Sequence, residues 1–449
     1  MLPTSAFSLA LIIFGVSYLV IMTERIHKTI VALFGATLMI VFGVLSQEEA
    51  FYSHEYGVDY QVIFLLIGMM VIINIIRETG VFEVLAIWAA KKADAKPFRL
   101  MVLLALLTAV LSAMLDNVTT VLLMAPVTLS ITKRLGLNPV AFMIVQAVAS
   151  NIGGTATLVG DPPNIMIASK AELGYLDFLV VLGPIVVVIM FGLIAVLWGL
   201  YGRHMSVAPH LRDAVLALNP SDSIRDRAFL RRCLWLLGLV NLGFGLHSVI
   251  HQEPATVALL GASLFMLLGH ARGPQPDTEE LSYLTEVEWK TIFFFIGLFI
   301  LVGGLVKVGA IRMVADQLVS ATRGNHTGAV MAVLWGSSFL SAAVDNIPYV
   351  AAMNPLIVDL ARSLHPDIPD YTTLVHQPDI VPLWWALALG ACLGGNGTVI
   401  GASANVVIVD MARKAGHQIT FWEFFRVGFP IMVGTILLSS LYLWFLFLR

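Results

Sequence analysis

Leu115-Asp116-Asn117 and Val344-Asp345-Asn346 each set a carboxylate and an amide inside a long apolar run, and a proline (Pro126, Pro355) follows each Asn by nine residues. A charged side chain at the centre of a membrane helix costs at least ~2.5–3.5 kcal/mol, so an acid at that depth marks function by default. The same context occurs twice, and the reading of the whole chain follows from it.

The runs around these acids are membrane runs. The chain has 449 residues, 58% of them hydrophobic and 12% charged, with a mean hydropathy of +0.88. A soluble domain carries roughly twice that charged fraction. Many apolar stretches approach the ~20 residues that span a bilayer as helix. The fold class is therefore an all-α polytopic membrane protein. A net charge of −3 gives no reason to expect a nucleic-acid partner. Two cysteines, Cys233 and Cys392, support neither a disulfide framework nor a multi-cysteine metal site, and no metal or other cofactor is expected. Residues 6–22 lack a basic leader and a small-residue cleavage site, so they read as a retained helix.

In order, the first spans fall at about 5–23, 28–46 and 60–79. Arg25 and Lys28 flank the first loop, the loop at 47–59 is acidic, and 80–97 is basic with Lys91, Lys92 and Lys96. The positive-inside rule then puts the N-terminus outside and 24–28 and 80–97 in the cytoplasm. Residues 98–133 enter and leave on one side with Asp116-Asn117 in the middle, which reads as a re-entrant helical hairpin. Irregular backbone at that depth is tolerated only inside protein or beside a watery cavity. The span at about 138–170 contains Gly153, Gly154, Gly160, Pro162 and Pro163, so it is expected to be discontinuous. A span at 176–201 closes a first repeat, residues 1–202, and the arginine-rich stretch 203–230 reads as a cytoplasmic linker. A second repeat, 231–449, has spans at about 231–250, 256–270 and 290–308, a hairpin at 327–363, a broken span at 382–412 and a last span at 427–448.

The halves align with each other. Val31-Ala32-Leu33 matches Val257-Ala258-Leu259 at an offset of 226, and Asp116-Asn117 matches Asp345-Asn346 at 229. Ile67-Gly68 matches Ile296-Gly297 at 229, and Gly153-Gly154 through Asn164 matches Gly394-Gly395 through Asn405 at 241. Five spans plus one hairpin per half is an odd number of crossings, so the second copy is inverted. Inverted repeats with broken helices meeting at the midplane are the architecture of secondary transporters. One loop fits poorly: 271–289, expected in the cytoplasm, holds Asp277, Glu279, Glu280, Glu286 and Glu288.

Asp116 and Asp345 are the candidate proton-coupling groups, because a carboxyl in a low-dielectric cavity can exchange its proton for another bound species. Each also suits the cap of the helix that follows. Asn117 and Asn346, with Thr119 and Thr120 in the first half only, offer donors and acceptors to a solute. Asn151, Thr155 and Thr157 in the first broken span, and Asn396, Thr398 and Ser403 in the second, would complete a polar chamber. A lone Thr or Ser more often bonds back to its own helix. Asp161, matched by Ala402, is read first as the cap of the helix resuming at Pro162, with a third titrating group as the alternative. Arg77 and Lys307 are read as snorkelling to the interface, and Cys392 as a small buried residue. No nucleophile–base set or metal cluster supports a catalytic site, so an enzyme is the least favoured class.

Leu115 to Val121, Asn151 to Asn164, Asp345-Asn346-Ile347-Pro348 and Leu393 to Asn405 resemble the ArsB/NhaD group of the ion transporter superfamily, which also contains the melanosomal P protein. The resemblance implies a proton-coupled exporter in the plasma (inner) membrane, with arsenite/antimonite efflux and sodium/proton exchange as the two activities. It implies site roles for Asp116, Asn117, Asn151, Thr155, Thr157, Asp345, Asn346, Asn396 and Thr398. An arsenical ATPase is a conceivable associate, and the chain would work as monomer or homodimer. The assembled chamber holds no Lys or Arg, which disfavours anions. Asn and Thr suit a neutral trihydroxide such as As(OH)3, and sodium, needing several oxygens, is the close alternative.

Overall fold

The computed structural model describes residues 4–23, 25–202, 205–271, 282–322 and 325–449. Arg203 of the linker and Asp277, Glu279 and Glu280 of the acidic loop lie outside these residues. Every regular element among the described residues is helical. The first half comprises α1 (Thr4–Thr23), α2 (Lys28–Val41), α3 (Gln47–Tyr52), α4 (Tyr60–Arg77), α5 (Val81–Lys92), α6 (Pro97–Met114), α7 (Asn117–Arg134), α8 (Val140–Gly154), α9 (Pro162–Ala171) and α10 (Tyr175–Tyr201). A short α11 (Pro209–Leu216) lies in the linker. The second half comprises α12 (Arg227–Leu246), α13 (Pro254–His270), α14 (Ser282–Thr285), α15 (Trp289–Lys307), α16 (Ala310–Thr322), α17 (His326–Ala343), α18 (Asn346–Leu364), α19 (Tyr371–Val375), α20 (Val381–Gly394), α21 (Ser403–Lys414) and α22 (Phe421–Leu443).

Among the described residues seven helices are long and apolar enough to cross a membrane, and α2, α8 and α13 are shorter apolar helices. Local chemistry sets the ends. Asp59 caps α4 through the Gln61 amide, Pro97 opens α6, and Ser46 with Glu49 forms a capping box on α3. The sequence places a span over 28–46, but α2 stops at Val41, before Gly43 at φ +73°. Fourteen residues of helix cover only about 21 Å, less than the ~30 Å hydrocarbon core. The ends of α2 therefore cannot reach both interfaces.

Packing repeats with the sequence. α6 lies on α8 as α17 lies on α20, and α1 on α2 as α12 on α13. Other pairs cross between the halves: α2 packs on α15 and α13 on α4, while α7 meets α21 and α9 meets α18. The two inverted repeats are interlocked. Two of the crossings between the halves are made by repeat-related glycines. A Cβ on Gly68 would lie 2.8 Å from the Ala258 carbonyl carbon, and one on Gly297 would lie 2.7 Å from that of Ala32.

Two ion pairs repeat in the same crossed fashion. Arg77, at the end of α4, pairs with Glu286, and Lys307, at the end of α15, pairs with Glu49 at 2.6 Å. Beyond the snorkelling expected of Arg77 and Lys307, a carboxylate from the opposite repeat lies within reach of each cation. The pairing also explains part of the acidic loop, since Glu286 neutralises a cation on the basic face. The Lys307 ammonium holds the Glu49 carboxyl below its ordinary range. On that same basic face the linker packs on α5, where Lys91 donates to the Leu218 carbonyl at 2.9 Å.

Replacing either crossing glycine by alanine gains ~1 kcal/mol of helix propensity but forces a Cβ into backbone, which costs typically ~1–3 kcal/mol. Gly68→Ala and Gly297→Ala should both lower the melting temperature of the protein in detergent. Gly15→Ala, with open space around its Cβ, should leave it unchanged or raise it.

Candidate functional site

The two broken spans are held open by one residue type each. In the first, Asn164 Nδ2 donates to the carbonyls of Gly154, Thr155 and Thr157 at 3.2, 3.3 and 2.9 Å. In the second, Asn405 Nδ2 donates to the carbonyls of Gly395 and Thr398 at 2.7 and 2.8 Å. Each break thus satisfies carbonyls that a continuing helix would have used. Both asparagines are fully buried.

Each hairpin tip is then pinned to a break. Thr157 Oγ1 donates to the Ala113 carbonyl, and Thr398 Oγ1 donates to the Ala342 carbonyl at 2.6 Å. Ser112 and Ser341 likewise donate to the Ser150 and Ala391 carbonyls, both at 2.7 Å. Thr157 and Thr398 therefore fasten the hairpins, with their hydroxyls engaged. Thr155 bonds back to the Asn151 carbonyl of its own helix.

Where the breaks face each other, an amide relay crosses between the repeats. Asn117 Nδ2 donates to Asn151 Oδ1 at 3.1 Å, and Asn151 Nδ2 donates to both Asn396 Oδ1 and Asn405 Oδ1 at 3.0 Å. Two relay atoms, Asn117 Oδ1 and Asn396 Nδ2, are buried without a protein partner among the described residues, as is Thr120 Oγ1 about one turn along α7 from Asn117. Buried polar groups nearly always find partners, so unpaired ones call for an explanation.

Three carboxylates surround the relay. Asp116 caps α7, accepting from the Thr119 amide at 2.9 Å and from its hydroxyl. Asp345 caps α18, accepting from the Ile347 amide at 3.2 Å. Asp161 is fully buried and lies within electrostatic reach of both. It is not the cap that the sequence suggests, and no side-chain capping bond reaches α9 from it. The reason is chemical: Pro162 and Pro163 have no N–H to offer, and the Asn164 amide donates to the Asp161 backbone carbonyl at 2.9 Å. The freed carboxylate instead accepts from Asn346 Nδ2, 3.4 Å from each oxygen, across the repeat interface. The Cys392 thiol donates to Asn164 Oδ1 at 3.4 Å, so this small buried residue also carries a polar contact.

A cation also enters the centre. Lys28 Nζ lies 2.6 Å from Asp345 Oδ2 and 2.7 Å from Ser403 Oγ, and Ser403 in turn donates to Asp345 at 2.7 Å. The expectation of a chamber without Lys or Arg is overturned here. The sequence reading set Lys28 at the edge of the first loop, opening a 19-residue span that would carry it to the interface. The 14-residue α2 brings its N-terminus inward to the second hairpin instead. A cavity of about 1260 Å3 opens where α4, α9 and α18 face one another, lined by Glu55, Asp59, Lys170, His247, Asp359 and Arg362 and reaching in to Leu158 and Pro355.

The sequence reading missed Lys28, Asn164 and Asn405 as site residues. Asn164 and Asn405 occupy equal places in the two repeats, a signal that was open to reading. Lys28 has no such signal, since its repeat partner is Pro254 and its contact spans 317 positions.

The family model CitMHS, described as a citrate transporter, matches residues 18–390. The chain belongs to this family. Similar proteins include an uncharacterized transporter of Mycobacterium tuberculosis, 46% identical over 97% of both chains. A 46 kDa membrane protein of Mycobacterium leprae is 44% identical over 98% of this chain and 99% of its own. The P protein of Sus scrofa is 32% identical over 97% of this chain, which spans 58% of that longer protein. Among solved structures, the Alcanivorax borkumensis YdaH transporter matches with a TM-score of 0.58 at 11% identity, covering 98% of this chain and 97% of that one. That likeness is one of fold. The CitMHS chain is thus a multi-pass membrane transporter and not an enzyme, and the resemblance to the P protein holds across nearly its whole length.

Asn164→Ala leaves three buried carbonyls without their donor, and each unsatisfied group costs about 1–3 kcal/mol. Thermal unfolding in detergent should show a large drop for Asn164→Ala and Asn405→Ala. Asn164→Asp should not recover the loss, because a carboxylate cannot donate. Cys392→Ala should move the midpoint far less.

Proposed function

We propose that the chain exports arsenite and antimonite, as neutral trihydroxides, in exchange for protons by alternating access. The observation that carries this reading is the set of unpaired atoms on the amide relay. Asn117 Oδ1 accepts and Asn396 Nδ2 donates, both on the relay, and Thr120 Oγ1, about one turn along α7 from Asn117, does either. A small solute that is donor and acceptor at every oxygen matches them.

Charge supports the same choice. Lys28 is the one Lys or Arg in contact with this centre among the described residues, and Asp345 already pairs with it. A polycarboxylate such as citrate, the substrate in the family's description, would find that ammonium already engaged. The three acids supply proton carriers, and a proton taken up by any of them eases the mutual repulsion. The driving force is then the proton gradient, without a cofactor. Sodium/proton antiport is the second reading, favoured by the same carboxylates. It is weakened because Asn164 and Asn405 already occupy the carbonyls of the breaks that a sodium ion would use. The protein would sit in the inner membrane with its N-terminus outside and the 203–230 linker inside, as monomer or homodimer, with an arsenical ATPase as an optional associate.

Everted vesicles separate the readings. Gradient-driven arsenite accumulation is expected from the wild type, and Asp116→Asn, Asp161→Asn and Asp345→Asn should each reduce it by at least about tenfold, the factor that corresponds to ~1.4 kcal/mol. A sodium-induced proton signal without arsenite accumulation would transfer the assignment to the antiporter. Wild-type flux in all three variants would remove the proposed role of the acids.

A further inference from the structure

We infer that the Lys28 ammonium is a built-in counter-cation at the second hairpin, occupying a site that would otherwise take a free monovalent cation. It makes the transporter independent of sodium at that hairpin.

The site has the makings of a cation cage. Asp345 Oδ2 and Ser403 Oγ bind the ammonium at 2.6 and 2.7 Å, and the face of Phe294 lies 4.8 Å from it. A carboxylate, a hydroxyl and an aromatic face drawn from three separate elements converge on one positive group. The Lys28 side chain is about one-third exposed and that of Asp345 only 12% exposed. Hard oxygen ligands of this kind suit an alkali cation as well as an ammonium. The Lys differs from such an ion in being tethered, so no free ion need be captured.

The first hairpin supplies the contrast. In the repeat alignment the positions of Lys28 and Ser403 are taken by Pro254 and Pro162, neither of which has a polar side chain. Asp116 there turns to the Thr119 hydroxyl and amide. The asymmetry is therefore concerted: Lys28 and Ser403 stand together at one hairpin, and neither has a polar counterpart at the other. Phe294 lies on α15, outside the hairpins and breaks, so the cage joins the second hairpin and its break to the α2–α15 pair. Glu288 also lies in electrostatic reach of Lys28, and the acid field in which the ammonium sits extends beyond Asp345.

This goes beyond the choice of solute, and its test reads cation binding directly. Purified full-length protein is melted in detergent with sodium chloride or choline chloride at equal ionic strength. Wild type should show no difference. Lys28→Ala, with its lysine stem removed, should melt at a lower temperature in choline and regain a few degrees, saturably, in sodium or in ethylammonium, which restores the missing group. Lys28→Ala combined with Asp345→Asn should lose that response. A saturable sodium stabilisation of the wild type, or a folded Lys28→Ala protein indifferent to sodium, lithium, potassium and ethylammonium, would overturn the inference. If Lys28→Ala can be isolated folded only when sodium or ethylammonium is present throughout, the inference stands; if neither yields folded protein, it falls.

Discussion

A helix that stops at membrane depth strands its last carbonyls where no water can satisfy them, at several kcal/mol for each. In this chain two buried asparagines answer that cost. Asn164 and Asn405 each reach back over a glycine-rich break and donate to the carbonyls the break exposes. Everything nearer the site rests on them. With the breaks fixed, Thr157 and Thr398 can fasten the hairpin tips, and with the tips fixed, Asp116 and Asp345 stand at the centre. The close approach of α6 to α8 and of α17 to α20 completes the frame. A side chain at Gly153 or Gly394 would run into the Ala109 or Ser338 carbonyl of the opposing hairpin helix.

The frame is symmetric and the chemistry hung on it is not. Asn151, the hub of the amide relay, is matched by Cys392 in the other repeat, and Asn396 is matched by Thr155. Asp161 has Ala402 opposite, and Lys28 has Pro254. One copy of the repeat therefore supplies the buried acid and the amide hub, while the interleaved packing brings the ammonium from the first half to the hairpin of the second. Symmetry places the site between the repeats, and the departures from symmetry decide what it binds.

The sequence discloses those parts whose cause is local or repeated. Hairpins, breaks and inverted copies are all written in short motifs that recur, and the apolar runs between them are long. The sequence does not disclose contacts that depend on where a helix ends. Lys28 opens the span in the sequence as it opens α2 in the structure, but α2 closes at Val41, too short to reach both interfaces, and its lysine meets a carboxylate 317 positions away. Asp161 was misread for a different reason. Its position before a helix predicts a cap, but the next two residues are prolines, and the missing amides turn the carboxylate toward Asn346. Arg77 and Lys307 follow the first pattern, since their partners come from the other repeat.

At the centre of the account is an acidic, amide-lined site that exchanges protons for a neutral solute. The most direct measurement is the heat of arsenite binding to the purified protein, titrated in two buffers of different ionisation enthalpy. The account predicts that the observed enthalpy differs between the buffers in proportion to their ionisation enthalpies, because solute entry displaces protons from Asp116, Asp161 and Asp345. It predicts that this difference vanishes when all three are replaced by asparagine. Arsenite binding with the same enthalpy in both buffers, or no arsenite binding at all, would contradict it.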